Sequence, residues 1–265
     1  MCNNTKEDVP SSNEIIDFRS IVKNDSFLNK FSFPDWYFDY FPRICGDDLE
    51  VARKFLTEQL VTIKAIPKVF TYPPEMPRLL DEGVYCLSKA RTPEGCGIII
   101  IRAKYWDIRK TSALQIVQAA IVKIFSELMI DPQVQRNGLI TIIDTTGLSF
   151  SHLWNIPWSD YRAFSILSNH HQPRLIRRVY LLHTNWLALK GYNLLKGLLH
   201  KDADESFKIF GDDLTEFHKL VPKSCLPSDF GGTFADEYTV KERLARFEEN
   251  RESFEAFWNQ AKSMP

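Results

Sequence analysis

Residues 135–156 read QRNGLITIIDTTGLSFSHLWNI, and the fold turns on Leu139–Ile143 within them. LITII is a short, continuous, largely β-branched run. Such a run marks a strand covered on both faces, the situation of a parallel sheet. Just beyond it, Gly147-Leu148-Ser149-Phe150-Ser151 is the nearest approach to the G-x-S-x-G turn of a nucleophilic serine. It lacks the closing glycine that lets the backbones approach there. A hydrolase using Ser149 or Ser151 with His152 or His183 stays open as an alternative.

On either side, strand-sized apolar runs alternate with amphipathic stretches. Val84–Leu87 and Gly97–Arg102 read as strands, joined through the turn residues Pro93-Glu94-Gly95 as a hairpin. Thr111–Ile130 reads as a helix apolar nearly all round, hence buried on more than one face. Asp160–Asn169 is predicted helical, Arg178–His183 a strand, Leu187–Leu199 a helix, Phe207–Phe210 a strand and Asp212–Leu220 a helix. This alternation argues α/β with a largely parallel sheet.

Residues 1–82 read as a helical module. Ser11-Ser12-Asn13-Glu14 offers N-caps before Ile15, Ile16, Phe18, Ile21 and Val22. A second helix is expected over Asp48–Ile66, capped by Asp47 or Asp48 and ended by Pro67, with one stripe of Leu49, Ala52, Phe55, Leu56, Leu60 and Ile63. Between them Phe31–Arg43, FSFPDWYFDYFPR, is too aromatic for a free linker. It is expected to be irregular, and either packed on a core or turned to a partner or membrane. Phe234–Ala261 reads as a charged helical segment. The divisions are therefore 1–82, 83–233 and 234–265.

Composition narrows the function. The chain has 265 residues, 44% hydrophobic and 25% charged, which suits a globular protein with a sizeable core. Its 33 basic and 34 acidic side chains leave a net charge of −1, so no overall field recruits nucleic acid. The first residues, MCNNTKEDVP, lack the apolar core of a secretion signal, and no apolar run is long enough to suggest a membrane span. The cytoplasm is the expected compartment, with the five cysteines as free thiols. Cys86 and Cys96 stand ten residues apart without histidines in register, and no phosphate-cradling glycine motif or H-E-x-x-H occurs. No metal or cofactor is expected.

Excess apolar surface stands where catalytic groups would be sought. In Thr184–Leu199, TNWLALKGYNLLKGLL, only Lys190, Asn193 and Lys196 clearly favour water, on one narrow stripe. Gly191 and Gly197 each weaken a helix by about 1 kcal/mol relative to alanine. The segment reads either as a core helix or as a gate whose inner face touches a hydrophobic ligand.

The segment Gly97–Gly232 resembles the CRAL-TRIO lipid-binding domain. The resemblance is carried by Gln135-Arg136-Asn137-Gly138 with the strand and D-x-x-G-x-S-x-x-H stretch after it. It is carried further by Gln172-Pro173 through RRVYLLHTN, by Phe210-Gly211-Asp212-Asp213-Leu214, and by Leu226-Pro227-Ser228-Asp229-Phe230-Gly231-Gly232. Asp25-Ser26-Phe27-Leu28 and the Asp48–Ile66 helix look like the helical module that precedes such domains. The family's usual basic run is replaced here by the aromatic stretch 31–43.

The resemblance implies a binding protein: a mostly parallel sheet flooring an apolar cavity, helical walls, and a mobile lid helix at Thr184–Leu199. It implies a lining of Ser126, Leu139, Ile143, Ile156, Phe164, Leu167, Ser168, Ile176 and Val179, to which Tyr161, Trp186 and Leu189 are added. Four positions of a phosphoinositide-binding patch found in some relatives fall on Leu175, Arg177, Asp202 and Ser206, and only Arg177 is basic. Arg174, Arg178, Lys190 and Lys196 lie near in sequence and are expected, with Arg177, to meet an anionic membrane. The expected protein is thus a monomeric cytoplasmic carrier, peripheral to membranes, of a lipophilic molecule such as a retinoid, carotenoid, tocopherol-like isoprenoid or sterol-like lipid.

Overall fold

The computed structural model describes residues 12–170, 175–199, 204–234 and 240–264. Five strands form one sheet in sequence order: β1 Tyr85–Arg91, β2 Gly97–Arg102, β3 Leu139–Asp144, β4 Ile176–Leu182 and β5 Phe207–Ile209. β1 and β2 are the antiparallel hairpin, while β2–β3, β3–β4 and β4–β5 pair in parallel. Each parallel step needs a crossover, and helices supply it.

Strand alternation sends side chains to two cores. On one face Ile98, Ile100, Ile140, Ile142, Tyr180 and Leu182 pack with Phe217, Val221, Leu226 and Phe230. On the other, Ile99 and Leu139 join the helices. That side is layered from α1 (Ser12–Asn24), α2 (Asp35–Ile44), α3 (Leu49–Ala65), α4 (Met76–Asp81), α5 (Ala113–Ile130) and α6 (Pro132–Asn137). α7 (Phe150–Trp154), α8 (Trp158–His170) and α9 (Trp186–Lys196) follow, and α10 (Thr215–Leu220) and α11 (Val240–Lys262) complete the chain.

Local signals place several ends. The Asp48 carboxylate accepts from Val51 N at 3.0 Å and caps α3. Ser112 and Gln115 form a reciprocal capping box at the start of α5. α5 is the one described helix long and apolar enough to cross a membrane by composition, but it is largely buried and carries Lys123 and Glu127 within it.

The stretch 31–43 departs from expectation. It is largely helical, as α2, with Pro42 in its last turn. Tyr37, Phe38, Tyr40, Phe41 and Ile44 are buried, and this burial outweighs the hydrogen bond lost at proline. The C-terminal helix provides the cover. Phe254, Phe257, Trp258 and Ala261 recur at helical spacing on its inner face. The Phe257 ring lies 4.7 Å from Tyr37 and 5.8 Å from Phe33, and Trp258 lies 6.0 Å from Phe125. The aromatic segment is thus core, and the reading of it as a docking surface loses its surface. Three short helices, α4, α6 and α7, were not visible in the pattern because each is too short to show a period.

Candidate functional site

A cavity of about 300 Å³ lies over the C-terminal ends of β2, β3 and β4. Its floor is Ile101, Ile143, Leu181 and Phe207, side chains that alternate onto one face of the sheet. Ile116, Val117 and Ala120, from the first half of α5, form one wall. Leu153 and Ile156 form another, with Tyr161 and Phe164 from the first half of α8. α9 closes it with Ala188, Gly191, Tyr192 and Leu195, at spacing i, i+3, i+4, i+7, which puts all four on one helix face.

The cavity's sheet end is fixed by the D-x-x-G turn. His183 Nδ1 donates to Asp144 Oδ1 at 2.9 Å, tying the ends of β3 and β4, and the imidazole stacks on Phe230 with centroids 6.5 Å apart. Burial pushes the Asp144 carboxyl up, but hydrogen bonds from the Thr146 side chain and backbone and from His183 outweigh it and leave it below its ordinary value. Thr145 lines the cavity, yet its hydroxyl is spent on the Leu182 and His183 carbonyls, both at 3.0 Å. Gly147 at φ +79° brings the turn against the Lys104 backbone, where a β-carbon would stand 3.0 Å from Lys104 Cα. The far end of α9 is held by one carboxylate: the Tyr192 hydroxyl donates to Asp204 Oδ1, and Lys196 Nζ stands 3.0 Å from Oδ2.

Of the lining residues expected from sequence, the structure brings Ile143, Ile156, Tyr161 and Phe164 to the cavity. Leu139 and Ile176 pair with each other at the opposite, N-terminal end of the strands and pack into the helical core. Val179 faces the same side as Leu181 but lies one pleat nearer that end. Ser126 is buried in the second half of α5, and Leu167 and Ser168 lie in the second half of α8. These six lie on the expected elements but at a different level from the cavity. Trp186 and Leu189 are corrected differently: they are 65% and 39% exposed, on the outside of α9. Ala103, Trp106, Leu148 and Phe207 went unnoticed, as did the inner stripe of α9, whose spacing was readable from sequence.

The expected basic face is not assembled. Arg174, like Asp202, lies outside the described residues. Arg177 and Arg178 stand at the start of β4, the first donating to the Asn137 carbonyl at 3.0 Å, whereas α9 begins beyond the strand's other end. Lys196 is paired with Asp204, and Lys190 lies over the Trp186 ring at 5.1 Å. The exposed apolar side chains of these helices are largely aromatic. Phe150 and Trp154 stack at 5.3 Å on α7, Trp154 being 75% exposed, and Trp158 of α8 and Trp186 of α9 are exposed as well.

Ser149 Oγ does stand 2.7 Å from His152 Nδ1. The contact is a capping box at the start of α7, because Ser149 N also donates to that nitrogen, at 3.0 Å. His152 Nε2 donates to the Trp106 carbonyl at 2.9 Å, in the place where a triad carries a carboxylate. The histidine is consumed as structure.

The CRAL/TRIO domain family model matches residues 81–232. Clavesin-1 of Xenopus laevis is 28% identical over 160 residues, covering 60% of this chain and 48% of its own. A mouse protein, alpha-tocopherol transfer protein-like, is 22% identical over 218 residues, 81% of this chain and 63% of its own. The chain thus spans about half the length of clavesin-1 and under two thirds of the mouse protein. The crystal structure of Sfh5 superposes with a TM-score of 0.52 at 12% identity, covering 88% of this chain and 91% of that one, which is a likeness of fold.

Proposed function

Because the chain belongs to the CRAL/TRIO domain family, we propose that it binds a hydrophobic small molecule beneath α9 and hands it over at a membrane surface. The observation that carries this reading is the cavity itself: an apolar enclosure at one end of the sheet, roofed by a single helix. Capture is by burial. Each 100 Å² of apolar ligand surface removed from water contributes about 2.5 kcal/mol before entropy costs. The name of the mouse relative points the same way, toward transfer of a tocopherol-like or other lipophilic molecule.

Release requires α9 to move. Its outer face carries Trp186 and Leu189, and neighbouring α7 presents Phe150 and Trp154, so a bilayer interface offers these rings a better environment than water. We place the protein in the cytoplasm, peripheral to membranes, with no catalytic step. The test is native mass spectrometry and organic extraction of the protein from its own source. The expected result is one hydrophobic molecule bound at one to one. Protein that carries none, and takes none up from vesicles, overturns the reading.

A further inference from the structure

The carrier reading leaves the chemistry of the cargo open, and the polar atoms of the cavity narrow it. Among the described residues that line the cavity there is no carboxylate, ammonium, guanidinium or imidazole. Most hydroxyl and N–H groups there are already committed to the protein. Tyr85 donates to the Ile116 carbonyl, and Trp106 Nε1 to the Thr111 carbonyl at 2.7 Å. Thr145 is spent on the ends of β4, and Tyr192 on Asp204.

Tyr161 differs from them. It lies in the first half of α8 and lines the cavity, and its hydroxyl, which keeps accessible surface, makes no hydrogen bond to a described residue. Burial pushes its pKa up, which keeps it a protonated donor at neutral pH. A hydroxyl on a cavity wall without a protein partner is an open position for a ligand atom.

From this inventory, and resting on the carrier reading, we infer that the cavity takes an uncharged lipophile with a single small oxygen function, and that Tyr161 is the residue that recognises it. An alcohol, ketone, aldehyde or ester can accept from the Tyr161 hydroxyl and leave the rest of its surface against Ile101, Ile143 and Phe164. A carboxylate would enter with a charge that nothing in the lining compensates, and ionised groups buried without a partner are strongly disfavoured. A phosphate head group is excluded on the same ground. A cavity of about 300 Å³ suits a compact or single-chain ligand better than a lipid with two long chains.

The experiment uses probes that differ only at their polar end. The purified chain is titrated with 1,6-diphenylhexatriene, a hydrocarbon that fluoresces once removed from water. The bound probe is then displaced with dodecan-1-ol, methyl dodecanoate or dodecanoate at pH 8. The alcohol and ester should displace it at concentrations at least about a hundredfold below the carboxylate. Tyr161→Phe should weaken the alcohol and ester by roughly three- to tenfold more than it weakens diphenylhexatriene. Displacement by dodecanoate as readily as by dodecanol overturns the inference, as does an alcohol affinity indifferent to Tyr161→Phe. Failure of diphenylhexatriene and all three competitors to bind overturns the carrier reading, and this inference with it.

Discussion

Gly191 of α9 lies directly against Leu153 of α7, so closely that a β-carbon on residue 191 would stand 2.9 Å from Leu153 Cδ2 and 3.2 Å from Cδ1. The glycine costs the helix about 1 kcal/mol relative to alanine. In return the lid seats flat on its neighbour above the cavity. Leu153 is a flexible side-chain end, so Gly191→Ala should be tolerated in stability. Gly191→Val has no such freedom and should wedge the lid outward. Its expected signature is a hydrophobic probe that dissociates several-fold faster in stopped flow, with little change in the unfolding midpoint.

The opposite end of α9 depends on Asp204. Its carboxyl lies below its ordinary value because the Tyr192 hydroxyl and the Lys196 ammonium both bond it. A depressed carboxylate stabilises the closed arrangement fully above its ordinary pKa and loses that contribution as pH falls through the lowered value. Lid closure should therefore be insensitive to pH near neutrality and weaken only in acid, below about pH 4. Asp204→Asn should show fast probe release already at pH 7 and lose the acid dependence. Wild-type release that changes between pH 6 and 8 would contradict this.

Arg102, buried at the end of β2, forms an ion pair with Asp229 in the L-P-x-x-F-G-G turn, Nε to Oδ2 at 2.8 Å. Asp229→Ala removes the carboxylate from a buried guanidinium. It should cost about 2 kcal/mol, the half-exposed position of Asp229 keeping this below the full penalty of a buried pair. Urea unfolding measures it.

Two buried tyrosines should respond oppositely to loss of the hydroxyl. Tyr85 donates to the Ile116 carbonyl, so Tyr85→Phe should destabilise by about 1 kcal/mol. The Tyr40 hydroxyl is buried among aromatic rings without a hydrogen-bond partner among the described residues. Tyr40→Phe should be neutral or stabilising, since it removes a desolvated polar atom. Comparing the two denaturation midpoints tests the pair.

If the rings outside the lid are the membrane contact, the double variant Trp154→Ser, Trp186→Ser should partition less into vesicles while keeping its melting temperature. Binding should change little between low and physiological salt, because, of the described basic side chains on α9, Lys196 is paired with Asp204 and Lys190 lies over Trp186. Strong salt dependence would restore the cationic face.

Part of this arrangement was fixed by short-range chemistry. LITII demanded a strand covered on both faces, and β3 sends Leu139 into one core and Ile140 and Ile142 into the other. Asp48 capped the helix it preceded, and the apolar surround of α5 required burial from several directions. Such features lie within a few residues of their cause, so periodicity and capping reveal them.

What the sequence by itself determined is which residues share a strand or helix face. Ile143 with Ile101, and Ala188 with Gly191, Tyr192 and Leu195, follow from periods of 2 and 3.6. Only the tertiary structure decided which face turns inward and where along each element the cavity begins. α9 is apolar on both sides, so Trp186 was as plausible a lining residue as Tyr192. The choice came from Leu153, Asp204 and Phe207 packing or bonding against one side. The aromatic stretch 31–43 became a buried helix because Phe254, Phe257 and Trp258, more than two hundred residues later, covered it. Periodicity is a local property of the chain. The inward face is set by burial against elements distant in sequence.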